Sequence, residues 1–175
     1  MKNEILKFLV HLILPTRNKL NSYLRKIAKD HKVSEILEIG SGDKKRNKTT
    51  IDIFNDSKSF LQTDINEKYG HQILDITNLG SWNKKFDFIL CTNVLEHIFE
   101  IERAISNFDL LLKSEGKILI SVPFIYPLHD EPQDYWRFTE HSLKKLFRNY
   151  EIIDFKTFGL RQFPTQYILY LQKKN

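Results

Sequence analysis

Short apolar runs alternate with amphipathic helical stretches along most of this chain. Each apolar run has the length of a strand and ends at a polar or glycine-containing turn. The predicted strands, in chain order, are Glu35–Ile39, Ser59–Thr63, His71–Leu74, Phe86–Thr92, Lys117–Val122, Glu151–Phe158 and Gln166–Leu171. The alternation predicts an α/β fold whose ligand site lies at the carboxyl ends of the strands.

The segments between the predicted strands indicate how the sheet is wound. Before the fifth strand, apolar residues recur at steps of three and four from Ile101 to Leu112, and a further helix begins at the N-cap Thr139. Only a short link with Gly159 and Pro164 separates the last two strands, whereas a parallel pair needs about a dozen residues or more. We therefore expect a doubly wound, mostly parallel seven-stranded sheet with helices on both faces. Its C-terminal hairpin strand is expected to be antiparallel.

Two helical stretches, Asn3–Leu14 and Arg17–His31, precede the first predicted strand. We interpret residues 1–32 as a helical lid and residues 33–175 as a single globular domain. The apolar run of the first stretch, Ile5–Leu14, is far shorter than the about 20 residues that a bilayer span requires. Because it is apolar apart from a narrow polar stripe, we expect it to pack on the domain. The alternative is an interfacial helix that makes peripheral contact with a membrane or a lipid substrate.

Composition limits the classes of function. The chain has 175 residues, of which 41% are hydrophobic and 13% aromatic, as in a protein that folds around a core. Its net charge of +5 is spread over several segments, so we expect a basic surface and no specific nucleic-acid partner. The single cysteine, Cys91, excludes an intrachain disulfide and favours a cytoplasmic location. No paired cysteine or histidine spacing predicts a metal site.

A glycine-containing turn follows the first predicted strand, where residues 36–43 read ILEIGSGD. A side chain at Gly40 or Gly42 would keep a ligand from lying against the backbone. Nucleotide-dependent dehydrogenases begin in the same way, but their motif has a third glycine where this chain has Lys45. The turn therefore predicts a nucleotide-like ligand and disfavours a nicotinamide cofactor.

Acidic residues follow the next two predicted strands. Asp64 comes at the end of the second strand. Its separation from the glycine turn along the chain is close to the about 20 residues at which a ligand-binding acid is expected. Asp52, in the strand-like segment Thr49–Phe54, is the rival, but it comes too early for a full strand-helix-strand unit. Asp75, after the third strand, is either a ligand-binding acid or the N-cap of a helical turn.

The most specific motif covers the fourth strand and the turn after it, where residues 86–97 read FDFILCTNVLEH. Together with the glycine turn, Asp64 and Asp75, in that order, it resembles the motifs of the class I S-adenosylmethionine-dependent methyltransferases. The resemblance extends from about Ile36 to Phe147. It implies a Rossmann-like domain with S-adenosylmethionine as the cofactor.

The resemblance also implies which residues bind that cofactor. In the family, an acid after the second strand binds the ribose, and a carboxylate with the next backbone N–H binds the adenine. The backbone after the fourth strand holds the methionine amino group. The matching residues here are Glu38, Gly40, Gly42, Asp64, Asp75, Ile76, Cys91, Thr92 and Asn93. One departure is that Asp43–Lys58 is charged where the family has an amphipathic helix, so we expect a short or missing helix there.

A long aromatic loop follows the fifth strand, and its residues 129–139, with the pattern HxxPxDYWRFT, resemble a subgroup of the family. We expect it to form a wall of the acceptor pocket, with His129 as the catalytic base and His97 as the second choice. The alternative is a packed flap in which a pair between Asp134 and Arg137 serves only stability.

These motifs together predict an enzyme that transfers a methyl group by in-line displacement to a small-molecule, glycan or lipid acceptor. One alternative is a cofactor-binding scaffold of the same fold without catalysis. A nicotinamide-dependent oxidoreductase is the less favoured alternative, because the third glycine of that motif is missing.

Overall fold

The apolar runs form the strands of one sheet in the computed structural model, which describes residues 16–32, 34–43 and 48–174. The strands are β1 (Glu35–Ile39), β2 (Ser59–Asp64), β3 (Gln72–Ile73), β4 (Phe86–Thr92), β5 (Leu112–Pro123), β6 (Tyr150–Leu160) and β7 (Phe163–Lys173). The α-helices are α1 (Thr16–Ala28), α2 (Lys48–Ile53), α3 (Ile101–Leu111) and α4 (Glu140–Leu146).

The seven strands are arranged in the order β3-β2-β1-β4-β5-β7-β6. Neighbouring strands from β3 to β5 are parallel, whereas β7 is antiparallel to both β5 and β6. The predicted Rossmann-like sheet, mostly parallel with an antiparallel C-terminal hairpin strand, is therefore confirmed. The carboxyl ends of β1, β2, β3 and β4 meet at one edge, which is where such sheets bind their ligands.

Helices cover both faces of the sheet. One core contains Leu37 of β1 and Phe108 of α3, and it extends to α4. The other contains Ile36 of β1 and Leu20 and Leu24 of α1. Adjacent residues of β1 thus belong to different cores, because successive side chains of a strand point to opposite faces.

The N-terminal region is described only in part. The predicted helix Arg17–His31 corresponds to α1 and the 3₁₀ turn Lys29–His31 that follows it. The predicted lid helix Asn3–Leu14 lies outside the described residues and stays a prediction. In the part of the chain that the structure describes, no helix has the length and apolarity to cross a membrane.

The strand-like interpretation of Thr49–Phe54 is wrong, since all of this segment except its last residue belongs to the short helix α2. Its β-branched residues favour a strand locally. Helical spacing instead buries Thr50 and Phe54, four residues apart, and leaves Ile51 41% exposed. The expected short helix after the glycine turn is therefore present.

A histidine is buried where the turn after α1 meets the sheet. The ring of His31 stacks on Phe88, with 4.0 Å between ring centroids, and its Nε2 lies 3.0 Å from the Tyr170 hydroxyl. Burial lowers the pKa of His31 to about 4, so the imidazole is neutral in the folded protein at neutral pH.

Lowering the pH from 8 to 5 should destabilise the wild type by about 2 kcal/mol more than it destabilises His31→Gln. The unfolded chain takes up a proton near pH 6.5, whereas folded His31 resists protonation until about pH 4, so this stability is lost as the pH falls. Urea unfolding at the two pH values measures the difference. His141→Gln, at an exposed histidine of α4, is the control and should keep the wild-type pH dependence. The same pH dependence in His31→Gln as in the wild type would contradict the prediction.

Candidate active site

The glycine turn after β1 lies directly against the turn after β4. Gly40 has a φ of +69°, and a Cβ at this position would collide with Cγ2 of Val94. Both the backbone conformation and the available space therefore require glycine here. The sequence predicted the need for a bare backbone but not the contact with Val94.

Glu38, in β1, is buried under the glycine turn. Its Oε2 accepts hydrogen bonds from the Ser41 hydroxyl at 2.9 Å and from the Gln62 side-chain amide at 2.7 Å. Burial raises the pKa of this carboxyl, against the opposing effect of these hydrogen bonds. In this structure the Glu38 carboxylate therefore ties the turn to β2.

Asp64 ends β2 and holds the other side of the same turn. Its two carboxylate oxygens accept the backbone N–H groups of Gly42 at 2.7 Å and of Asn66 at 2.8 Å. Asp52, by contrast, lies exposed on α2. Of the two candidate acids, the structure brings Asp64 to the carboxyl edge of the sheet.

Asp75 caps a turn and also lies beside a cleft. Its Oδ1 accepts hydrogen bonds from the backbone N–H and the hydroxyl of Thr77, at 2.8 and 2.7 Å, so it caps the turn. Asp75 also lines a cleft of about 290 Å³ at the edge of the sheet, together with Gly40, Ile76 and Val94. The capping bonds therefore fix Asp75 beside the cleft.

The end of β4 is held by side chains from neighbouring strands. Asn93 has a φ of 53°, and its Oδ1 accepts from Ser121 and Gln166, both at 3.1 Å. Cys91 is buried, which raises the pKa of its thiol, and Thr92 is half-buried. The cleft beside Asp75 is lined by three of the residues implied for cofactor binding. Within the described part of the chain, these are Gly40, Asp75 and Ile76.

A buried carboxylate and two imidazoles converge beside the cleft. Glu96 is fully buried, and neither of its carboxylate oxygens accepts a hydrogen bond from another residue in the described part of the chain. The Nε2 atoms of His97 and His129 each lie 3.9 Å from Glu96 Oε1. Burial raises the pKa of Glu96 to about 8. His97 also lines the cleft, so the cluster adjoins it.

His129 is oriented within this cluster by the flap, the segment from Tyr126 to Thr139. Its Nδ1 lies 3.2 Å from both the Pro127 carbonyl oxygen and an Asp134 carboxylate oxygen, so its Nε2 faces Glu96. Burial lowers the pKa of His129, against the opposing effect of Asp134. The imidazole is therefore predominantly neutral at pH 7 and has an Nε2 lone pair to offer.

An ion pair stiffens the flap, as the sequence suggested. Arg137 donates to both carboxylate oxygens of Asp134, at 2.6 and 2.8 Å. Burial raises the pKa of Asp134, but the bonds from Arg137 and the His129 backbone N–H outweigh it and lower the pKa to about 2. Thr139 is the N-cap of α4 and forms a capping box with Ser142, so the predicted N-cap is confirmed.

Sequence reasoning missed Glu96 as a site residue. The LEH motif at residues 95–97 predicts a role for its histidine only. Burial of Glu96 beside a histidine from the flap depends on tertiary packing, and the flap docks on Glu96 itself. The backbone N–H groups of Tyr135 and Trp136 donate to the Glu96 carbonyl oxygen, at 2.9 and 3.2 Å.

The sheet order, the glycine turn and the acids at the strand ends define a Rossmann-like, nucleotide-cofactor-binding domain. The family model described as a methyltransferase domain matches residues 15–152, and the chain belongs to this family. The predicted class I methyltransferase family and its cofactor, S-adenosylmethionine, are thereby confirmed. Among curated proteins, no relative matches the chain.

Solved structures share the fold at low sequence identity. N-methyltransferase NodS from Bradyrhizobium japonicum WM9, in complex with S-adenosyl-L-homocysteine, has a TM-score of 0.70 and 14% identity over 92% of this chain and 89% of that chain. An S-adenosylmethionine-dependent methyltransferase from Clostridium acetobutylicum ATCC 824 has a TM-score of 0.69 and 13% identity over 99% of each chain. The [4+2]-cyclase SpnF also matches, with a TM-score of 0.69 and 12% identity over 89% of this chain and 80% of that chain. The fold alone therefore does not define the reaction.

Gly40→Ala should destabilise the protein more than Gly80→Ala and should strongly weaken binding of S-adenosylhomocysteine. Gly80 also has a positive φ, of +54°, but its Cβ would meet open space, so it isolates the cost of backbone strain. We expect about 1 kcal/mol for Gly80→Ala, and more for Gly40→Ala because Val94 must also move. Thermal unfolding and isothermal titration measure the two effects. Equal destabilisation by both substitutions would show that the contact with Val94 does not matter.

Proposed function

We propose that this chain transfers a methyl group from S-adenosylmethionine to a hydroxyl group of a small-molecule, glycan or lipid acceptor. The observation that carries this proposal is the cluster of Glu96, His97 and His129 beside the cleft lined by Gly40 and Asp75. We further propose that the reaction takes place in the cytoplasm, because the only cysteine, Cys91, is free.

The residues at the strand ends fit the cofactor. Gly40 lines the cleft, and the cleft volume is close to the about 300 Å³ at which small-molecule sites begin. We assign Asp64 to the ribose and Asp75, with the Ile76 backbone, to the adenine. When bound, S-adenosylmethionine supplies a methyl group on an activated sulfonium.

Aromatic side chains at the mouth of the cleft support an acceptor wall. The Phe99 ring stacks on Trp136, with 5.8 Å between ring centroids. Tyr135 packs edge-on against the Phe99 ring, with 5.4 Å between centroids. All three are exposed, with Phe99 at 61%. Exposed aromatic surface beside a cleft favours an acceptor with an apolar or ring-shaped body.

Methylation of a hydroxyl oxygen requires the loss of its proton, and the cluster is suited to this. His129 is the proposed proton acceptor, because its Nδ1 is held by the flap and its Nε2 lone pair is free to accept. The neighbouring Glu96 carboxylate, once charged, would stabilise the imidazolium that forms. The flap then contributes by positioning the acceptor oxygen in line with the methyl carbon.

A cofactor-binding scaffold without catalysis is the second candidate, because the fold alone does not define a reaction. Labelled methyl transfer into fractionated cell extract separates the two candidates, since only an enzyme yields a labelled product. Titration with S-adenosylhomocysteine and with NADH separates both of them from a nicotinamide-dependent oxidoreductase.

Asp64→Asn should weaken S-adenosylhomocysteine binding by about 1–3 kcal/mol, whereas Asp52→Asn should leave it unchanged. The asparagine amide has one accepting oxygen where aspartate has two. Either a ligand hydroxyl or a loop N–H therefore loses its acceptor. Isothermal titration at one pH measures both variants. Weaker binding in Asp52→Asn alone would reverse the assignment of the ribose acid.

His129→Gln should lower kcat by about 10²–10⁴-fold while the affinity for S-adenosylhomocysteine stays the same. The substitution removes the proton acceptor but none of the residues assigned to the cofactor. Turnover is measured on the acceptor fraction found by labelled methyl transfer, with His141→Gln on α4 as the control. An unchanged kcat in His129→Gln would reduce this residue to a structural role.

A further inference from the structure

A buried carboxylate without a partner requires an explanation in any folded protein. Glu96 is fully buried, and both of its oxygens lack hydrogen bonds from other residues in the described chain. Buried carboxylates are generally paired, hydrogen-bonded or bound to a metal ion, because transfer out of water without compensation is costly. Two imidazole nitrogens lie 3.9 Å from Glu96 Oε1, which is beyond hydrogen-bond distance.

Those two imidazoles are oriented as metal ligands are. Nδ1 of His97 lies 2.7 Å from the Gln133 carbonyl oxygen, and Nδ1 of His129 lies 3.2 Å from the Pro127 carbonyl oxygen. A backbone carbonyl accepts only an N–H, so each proton is placed on Nδ1 and each Nε2 carries a lone pair. Metal-binding histidines are held by this same outer hydrogen bond.

The three groups are close enough to share one ion. Their ligand atoms all lie within 4.8 Å of one another, and the two separations to Glu96 Oε1 are 3.9 Å. Ligands of a tetrahedral ion with bonds of about 2.1 Å are about 3.4 Å apart. Each imidazole would have to approach Glu96 by about half an ångström, and the two imidazoles would have to approach each other by up to about 1.4 Å, which rotation of the side chains allows.

We propose that Glu96, His97 and His129 bind one divalent transition-metal ion of the Zn²⁺ or Co²⁺ type. Two imidazoles and one carboxylate suit such ions, whereas Mg²⁺ prefers oxygen ligands alone. Three protein ligands leave at least one position open, as catalytic zinc sites do. Because His97 also lines the cleft, the open position is accessible to an acceptor there.

The role of the ion in catalysis rests on the proposed methyl transfer, although binding of the ion does not. An acceptor hydroxyl bound at the open position would become more acidic. Its O–H bond breaks and the proton leaves to water, while the oxygen keeps the electron pair and forms the new C–O bond. The C–S bond breaks and its electron pair stays on sulfur. In the loaded site, His129 therefore acts as a ligand and the ion replaces it in promoting proton loss.

The test measures metal binding to the chelator-treated full chain, without cofactor or acceptor. Wild-type protein is titrated with Co²⁺ by visible absorption and with Zn²⁺ by calorimetry, and we expect one ion per chain. Glu96→Gln and His129→Gln should each lower the Co²⁺ affinity at least about 100-fold. His31→Gln removes a buried histidine outside the cluster and should bind Co²⁺ as the wild type does.

Thermal unfolding provides a second measurement. Zn²⁺ should raise the Tm of the wild type and of His31→Gln by several degrees and leave that of Glu96→Gln unchanged. If Glu96→Gln does not fold, His97→Gln takes its place. No binding by the folded wild type, equal binding by the cluster variants, or tighter binding of Mg²⁺ than of Co²⁺ would each overturn the proposal. Because no cofactor is present, such a failure leaves the proposed methyl transfer standing.

Discussion

The contact between Gly40 and Val94 brings the ends of β1 and β4 together, and the arrangement of the site depends on it. Because Gly40 has no side chain, the turn after β1 packs against Val94 in the turn after β4, and both residues line the cleft. Two acids hold this turn. Glu38 accepts a hydrogen bond from the Ser41 hydroxyl, and Asp64 accepts one from the Gly42 backbone N–H. The carboxyl edge is thus fixed before any ligand binds, which limits the entropy that binding has to overcome.

Acidic side chains at this edge differ in how their charge is compensated. Asp64 accepts two backbone N–H groups, and Asp75 accepts two donors from Thr77. Glu96 is more deeply buried than either and receives no bond from another residue in the described chain. A carboxylate that is paired within the fold contributes to stability, whereas an unpaired one costs free energy unless a ligand compensates it. This contrast separates the groups that shape the site from the group most suited to chemistry.

The sequence was most informative where local pattern and tertiary structure agree. β1 and β4 follow the predicted boundaries, because buried parallel strands are continuous apolar runs. The segment Thr49–Phe54 was misread, because its β-branched residues favour a strand while packing against α1 selects a short helix. Glu96 was missed for a related reason. No local pattern shows that a glutamate after a strand will be covered by a flap that begins some thirty residues later.

The flap and the cluster form as one unit, since Glu96 takes part in both. Its backbone carbonyl accepts the N–H groups of Tyr135 and Trp136, which fixes the aromatic wall beside the cleft. Its side chain meets His129 from the start of the same flap. The His97 ring is in turn held by the Gln133 carbonyl, at 2.7 Å. A displacement of the flap would therefore move the acceptor wall and two of the three cluster residues together. Binding of the acceptor is thereby coupled to the geometry of the groups that act on its proton.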